Sequence, residues 1–229
     1  MVVLKVVLKR VKAVIVAILF YAMGVVAPVF GQTKTWKLED SSQVGNFRTT
    51  VLGNPSILRE GREVALAFDG VDDGLVVPAS PIEGWKQFTI EVLFKPDIDG
   101  PREPRFIHFE DRELNRGTFE IRLTKKGEFY MDTFLKNGKS GKGLTLIDST
   151  KLHPAGKWYW ASMVYDGKKM TSFLNGQKEL EGEIEFPPMT SGNIAFGVRL
   201  NKVGWFKGAI KEIRFHPTVM DPKTMQRTR

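Results

Sequence analysis

Phe68-Asp69-Gly70-Val71-Asp72-Asp73-Gly74-Leu75-Val76-Val77 joins two β-patterned runs through a turn rich in glycine and aspartate, and read alone it predicts a β-hairpin. Gly70 and Gly74 can supply the positive φ that tight turns need. Asp69, Asp72 and Asp73 place three carboxylates on one connection. Such side chains either hydrogen-bond nearby backbone as Asx-turns or offer hard oxygens to a cation or a sugar hydroxyl.

Outward from this stretch the apolar period is two, not 3.6, and Gly, Pro, Asn and Asp punctuate short runs. Phe88, Ile90, Val92 and Phe94 alternate with Thr89, Glu91, Leu93 and Lys95 before Pro96, and they predict one buried strand face. Phe119 to Leu123 alternates in the same way, and Gly127 leads into a run from Phe129 to Phe134. Trp158 to Tyr165 and Met170 to Leu174 flank Asp166-Gly167-Lys168-Lys169, a hairpin signal. Gly192 to Val198 and Phe206 to Phe215 complete the set. Asp97 to Pro104 and Lys136 to Gly143 read as loops. Only the tail, residues 218–229, offers a short helical turn, with Asp221 as cap and Pro222 in the first position.

Residues 1–31 stand apart. Lys5, Lys9, Arg10 and Lys12 precede an almost wholly apolar run from Ala13 to Val29, the layout of a secretory signal peptide, and Val29-Phe30-Gly31 suggests cleavage before Gln32. Retention of this segment as an anchor is the weaker alternative, since Gly24 and Pro28 interrupt a run of minimal span. The expected location is secreted, periplasmic or cell-surface, with no membrane span once the signal is removed. The chain contains no cysteine, so no disulfide supports it and a hydrophobic core must. The net charge of +8 includes the four signal cations, and the remaining chain is only mildly basic. Without an arginine-rich run interleaved with aromatics, nucleic acid is not an expected partner.

An ordered series of motifs resembles the laminin-G-like jelly-roll domains of bacterial secreted proteins, within the concanavalin A-like lectin and glucanase superfamily. The residues that carry the resemblance are Trp36-Lys37-Leu38-Glu39-Asp40-Ser41-Ser42, Ala65 to Asp73, Phe88 to Pro96, Trp158 to Gly167, Phe173-Leu174-Asn175-Gly176 and Phe206 to Phe215. It implies an all-β fold, a two-sheet antiparallel jelly-roll β-sandwich over residues 32–217, with the first and last strands in one sheet. Departures from the family pattern fall at Tyr159 and Trp160, at Asn175, and at Gln43-Val44. In ion-binding relatives calcium lies near the Asp-Gly turn, so the resemblance marks Asp69, Asp72 and Asp73 as metal ligands bracing that turn, with backbone carbonyls and water completing the six or more oxygens.

Catalytic signatures are absent. No Glu-x-Asp-x-x-Glu series supplies the paired carboxylates of a retaining glycosidase, which stand about 5 Å apart. His108, His153 and His216 are isolated, and no serine sits in a Gly-x-Ser-x-Gly elbow. Trp85, Tyr130, Trp160 and Trp205 are the candidate ligand-binding rings, since aromatic faces stack on sugars. Each is also a candidate for burial. The expected role is a non-catalytic binding module for carbohydrate or a cell-surface or matrix polymer. The competing classes are a protein-adhesion or structural module and a small glycoside hydrolase.

Overall fold

The computed structural model describes residues 32–61 and 63–228, so the expected signal peptide, residues 1–31, lies outside the described residues. No helix forms among the described residues, and strands are numbered below in chain order.

The first sheet runs from edge to edge as β16 (Gln177–Glu183), β15 (Lys169–Leu174), β14 (Tyr159–Tyr165), β8 (Phe88–Pro96), β18 (Lys207–His216), β6 (Glu63–Asp69) and β5 (Ser56–Glu60), with β1 (Lys34–Lys37) beside β18. In the second sheet the order is β12 (Gly143–Ile147), β11 (Glu128–Lys136), β10 (Arg116–Leu123), β9 (Arg105–Asp111), β17 (Gly192–Phe196), β7 (Gly74–Val77) and β4 (Thr50–Leu52). There β13 (His153–Pro154) pairs with β11, and β2 (Gln43–Val44) and β3 (Phe47–Arg48) form a small ribbon. The paired strands are antiparallel, giving the β-sandwich that the alternation predicts in the jelly-roll form that the family resemblance implies.

Phe88, Ile90, Val92 and Phe94 are all buried between the sheets, in the register predicted from their alternation. Phe94 stacks on Phe106 across the sandwich at 4.2 Å between ring centroids and 5° between planes. Pro96 is the last residue of β8 and stands opposite Gly208. At Gly208 φ is +144°, and a Cβ would stand 2.3 Å from the Lys95 carbonyl oxygen, so glycine is required where β18 lies against β8. The chain ends meet as expected, with Trp36 opposite Ile213 in the β1–β18 pair. Asn175 and Gly176, both at positive φ, make the two-residue turn between β15 and β16.

The opening stretch is not a hairpin. Its first arm, β6, pairs with β5 and β18 in the first sheet, while its second, β7, pairs with β4 and β17 in the second sheet. The Asp-Gly connection therefore carries the chain from one layer to the other. Gly70 takes a positive φ of +80°, whereas Gly74 is needed for space: a Cβ there would stand 2.7 Å from Val198 Cγ1.

Beyond β18 the tail folds back over the outer face of the first sheet. Asp221 caps a single turn, its Oδ1 accepting from the Lys223 amide at 2.9 Å and its carbonyl from the Thr224 amide at 2.8 Å. Met225 then packs on Val164 and Phe173, and the Gln226 amide donates to the buried Glu91 carboxylate at 2.8 Å.

Candidate functional site

The outer face of the second sheet carries a built polar cleft. On β10, Phe119, Ile121 and Leu123 enter the core, so Arg116, Thr118, Glu120 and Arg122 must point the other way. On β11, Asp132 and Phe134 share that face, and Asp132 stands directly opposite Glu120. Arg105 joins them through a bulge. Ile107 faces Phe119 but Arg105 faces Glu120, leaving Phe106 as the extra residue. A regular β9 would put Arg105 on the same face as Ile107 and Phe109; the bulge turns it outward and lets Phe106 enter the core.

These strands and the loop after β17 enclose a cleft of about 200 Å³ lined by Arg105, Arg116, Thr118, Glu120, Arg122, Asp132, Phe134, Thr145 and Arg199. The Glu120 carboxylate accepts from the Thr118 hydroxyl at 2.8 Å and pairs with Arg105 at 2.9 Å and Arg122 at 3.4 Å. Asp132 pairs with Arg122 at 2.5 Å. At the rim, Glu110 lies 3.7 Å from Arg116 and Glu103 lies 3.8 Å from Arg122. The Arg116 guanidinium sits 5.6 Å from the centre of the Phe134 ring. Arg199 alone of the four arginines has no ion-pair partner among the described residues, and its Nε is buried without a hydrogen-bond acceptor.

Burial and neighbouring charge shape the titration here. Asp132 is raised to about 6, chiefly by burial and then by the Glu120 charge. Burial holds His108, on the same face of β9, down at about 3, with Arg199, Arg116 and Arg105 adding to the effect. Its ring is neutral at ordinary pH, and Nδ1 accepts from the Leu200 amide at 3.4 Å. Arg199 is itself lowered by burial and by repulsion from Arg116 and Arg105.

Glu120 and Asp132 make the carboxylate pair in a cleft that the sequence could not show. Arg122 binds both, and Glu120 is further tied by Arg105 and Thr118, so the pair is engaged in holding arginines. None of these arginines was singled out from sequence. The available signal was the polar alternate of β10, but pairing across β9, β11 and a distant loop is what assembles it.

The four candidate rings do not converge. Tyr130 is half-buried on the same outer face, directly opposite Arg122, and lines a neighbouring depression with Arg102 and Lys125. Trp205 is half-buried in the β17–β18 loop that also carries Arg199. Trp85 packs partly against the core with the Lys34 ammonium 5.0 Å from its ring. Trp160 is buried on the outer face of the other sheet, with the Arg214 guanidinium 5.0 Å from its ring centre. It therefore cannot share a site with Tyr130. Trp160 lies on the outer face of β14, because Tyr159, Ala161 and Met163 fill the core, while Trp158 precedes the strand and donates its indole N–H to Glu60 at 2.8 Å.

The aspartates of the crossover form a second cluster, with ligand oxygens within 4.8 Å of one another. Asp69 Oδ1 accepts from the amides of Val71, Asp72 and Asp73 at 2.8, 3.2 and 3.3 Å. Asp73 accepts from Asn54 at 2.6 Å and from the Asp69 amide at 3.1 Å, clamping the β4–β5 turn to the crossover. The Asx-turn role is thus filled. No basic side chain among the described residues pairs with the three carboxylates. Burial raises Asp73, and the charges of Asp69 and Asp72 raise it further, opposed by its two amide donors. In donor type and uncompensated charge the trio fits a hard divalent cation, with Asp69 Oδ2 and the exposed Asp72 carboxylate left to serve it.

A laminin-G family model, described as the Concanavalin A-like lectin/glucanases superfamily, matches residues 69–226. Among solved structures, the binding domain of Paraclostridial Mosquitocidal Protein 1 superimposes with a TM-score of 0.61 at 16% identity, over 85% of this chain and 50% of that one. The botulinum neurotoxin serotype D binding domain gives 0.60 at 13% identity, over 83% and 49%. Domain 4 of AbnA, a GH43 extracellular arabinanase from Geobacillus stearothermophilus solved in complex with arabinotriose, gives 0.50 at 16% identity, over 86% and 88%. The chain spans about half the length of the toxin binding domains it matches. At these identities the likeness is one of fold. No curated protein sequence matches the chain.

Proposed function

The chain belongs to the concanavalin A-like lectin/glucanases superfamily, and from that membership we propose that it is a secreted, non-catalytic binding module whose ligand is carbohydrate. The observation that carries this reading is the cleft on the second sheet. It gathers guanidinium, hydroxyl and carboxylate groups, mounted mainly on rigid strands beside an aromatic residue, Tyr130. Pockets that recognise small ligands combine a few placed polar groups with apolar or aromatic walls in this way. Secretion is supported by the basic and apolar pattern of residues 1–31. The arabinotriose complex of the AbnA domain supports the ligand class by analogy of fold.

One observation favours hydrolysis instead: Asp132, raised to about 6, opposes Glu120, and a raised carboxyl is what a general acid needs. Against it, both groups already bind Arg122, which leaves neither free to flank a scissile bond. A structural calcium ion held by Asp69, Asp72 and Asp73 forms part of the same proposal, with a bracing and not a chemical role.

A glycan array probed with the protein, with and without calcium, tests the reading. Binding to a defined saccharide set without release of shortened products is the expected result. Release of reducing ends would move the protein to the hydrolases. Failure to bind any saccharide would remove the carbohydrate reading in favour of a protein-adhesion module.

A further inference from the structure

Four guanidiniums face two carboxylates in the lining of the cleft, an excess of two positive charges. The excess is localised. Arg105 and Arg122 are ion-paired with Glu120 and Asp132, although the Arg105 Nε, like that of Arg199, makes no aligned hydrogen bond, and Arg116 has only Glu110 at 3.7 Å, a long contact at the rim. Arg199 has none, although its Nε is shut off from water. An unpaired, half-buried guanidinium beside two other guanidiniums is unfavourable in the free protein, since desolvation and repulsion act in the same direction and the more modest attraction of Glu120 and Glu110 does not offset them. Its loop nevertheless holds it there. The Arg199 amide donates to the Val203 carbonyl at 3.2 Å, the Lys202 amide to the Arg199 carbonyl at 2.8 Å, and the Arg105 amide to the Gly204 carbonyl at 2.8 Å, with Lys202 and Gly204 both at positive φ. Strain and repulsion kept together at an open cleft are the mark of a group positioned for a ligand.

We propose that the cleft binds the anionic group of an acidic saccharide, a carboxylate or a sulfate ester, with Arg199 as the principal contact and Arg116 beside it. A guanidinium offers a planar pair of donors that matches either anion. With about 200 Å³, the cleft has room for one charged sugar unit and not for a long stretch of polymer. Tyr130, directly opposite Arg122 on the same face, is placed to meet the next unit. This inference rests on the carbohydrate reading above and narrows it to a charged ligand.

Calorimetric titration of the protein with three oligosaccharide series of equal length, neutral xylose oligomers, galacturonate oligomers and sulfated galactan oligomers that carry no carboxylate, tests it. One or both acidic series should bind, and the comparison between them separates carboxylate from sulfate. Arg199→Gln should weaken that binding at least tenfold while melting at or above the wild-type temperature, because removing an unpaired repelled charge relieves the free protein. A structural arginine would instead lower the melting temperature on replacement. Equal affinity for the neutral series, or acidic binding unaffected by Arg199→Gln, would overturn the inference and leave the carbohydrate reading standing. Binding of none of the three series would overturn the inference, and the glycan array then decides whether the carbohydrate reading stands.

Discussion

His108 shows how one residue reports the electrostatics of its sheet face. It is buried and held at about 3, mainly by desolvation and then by Arg199, Arg116 and Arg105. A histidine whose folded pKa is depressed stays neutral in the fold while the unfolded chain takes up a proton, so its stabilising contribution is complete above about pH 6.5 and is lost as pH falls towards 3. The slope is about 1.4 kcal/mol per pH unit. Asp132 works in the opposite sense: raised to about 6, it gains a proton first in the fold and adds stability as pH falls from about 6 to about 4. Urea denaturation at pH 7 and pH 4.5 should therefore show wild type losing about 2–3 kcal/mol more than His108→Gln between the two conditions. Equal losses would show that His108 is protonated in the fold. In the core, Phe94 is fully buried, stacked on Phe106 and edge-on to Phe129. Phe94→Ala should cost about 3–5 kcal/mol by the same denaturation assay. Phe94 was legible as core because strand alternation acts locally. His108 was not, since the three arginines that surround it come from β9, β10 and the loop after β17.

At the scale of elements, the Asp69–Gly74 connection marks the boundary of what local pattern can say. Asp-Gly chemistry specifies a sharp reversal, and the reversal is there. Whether the two arms then pair with each other or enter different sheets depends on which strands wait beside them, β18 for β6 and β17 for β7, and no local residue encodes that. The bulge at Phe106 is likewise invisible along β9 alone, yet it decides that Arg105 lines the cleft. The metal proposal belongs to this connection. If calcium binds only the folded protein, a concentration one hundred times the dissociation constant raises stability by about 2.7 kcal/mol. Calcium should then raise the melting temperature and a chelator should reverse the rise. The double variant Asp69→Asn, Asp72→Asn keeps Asx-turn capacity while removing two anionic ligands, so it should melt at the same temperature with or without calcium. A wild-type melting curve indifferent to calcium and chelator would leave these aspartates as turn formers that clamp Asn54 through Asp73.

Across the whole molecule, closure of the fold was legible through the family resemblance, which places the first and last strands in one sheet, and β1 pairs with β18. The role of the last residues was not, because the tail makes its contacts singly and without periodicity. Met225 covers Val164 and Phe173, Gln226 satisfies the fully buried Glu91, and Thr89 bonds both the Thr218 carbonyl at 2.8 Å and the Met220 amide at 3.1 Å. Thr228 meets Asn175 through its hydroxyl and its amide, at 2.9 and 3.3 Å. Two truncations separate the contributions of strand and tail. Deleting residues 206–229 removes β18, which pairs with β8, β6 and β1 at the middle of the first sheet, and the product should not fold. Deleting only residues 217–229 leaves every strand pair intact but uncovers an apolar patch and takes one amide donor from Glu91, which keeps His216 at 3.1 Å. That product should still melt cooperatively, at a cost of about 2–5 kcal/mol set by the lost methionine burial and the weakened carboxylate. Circular dichroism melts of the two products decide it: a cooperative transition in the first would show that β18 is dispensable, and loss of folding in the second would make the tail part of the sandwich and not a cover laid over it.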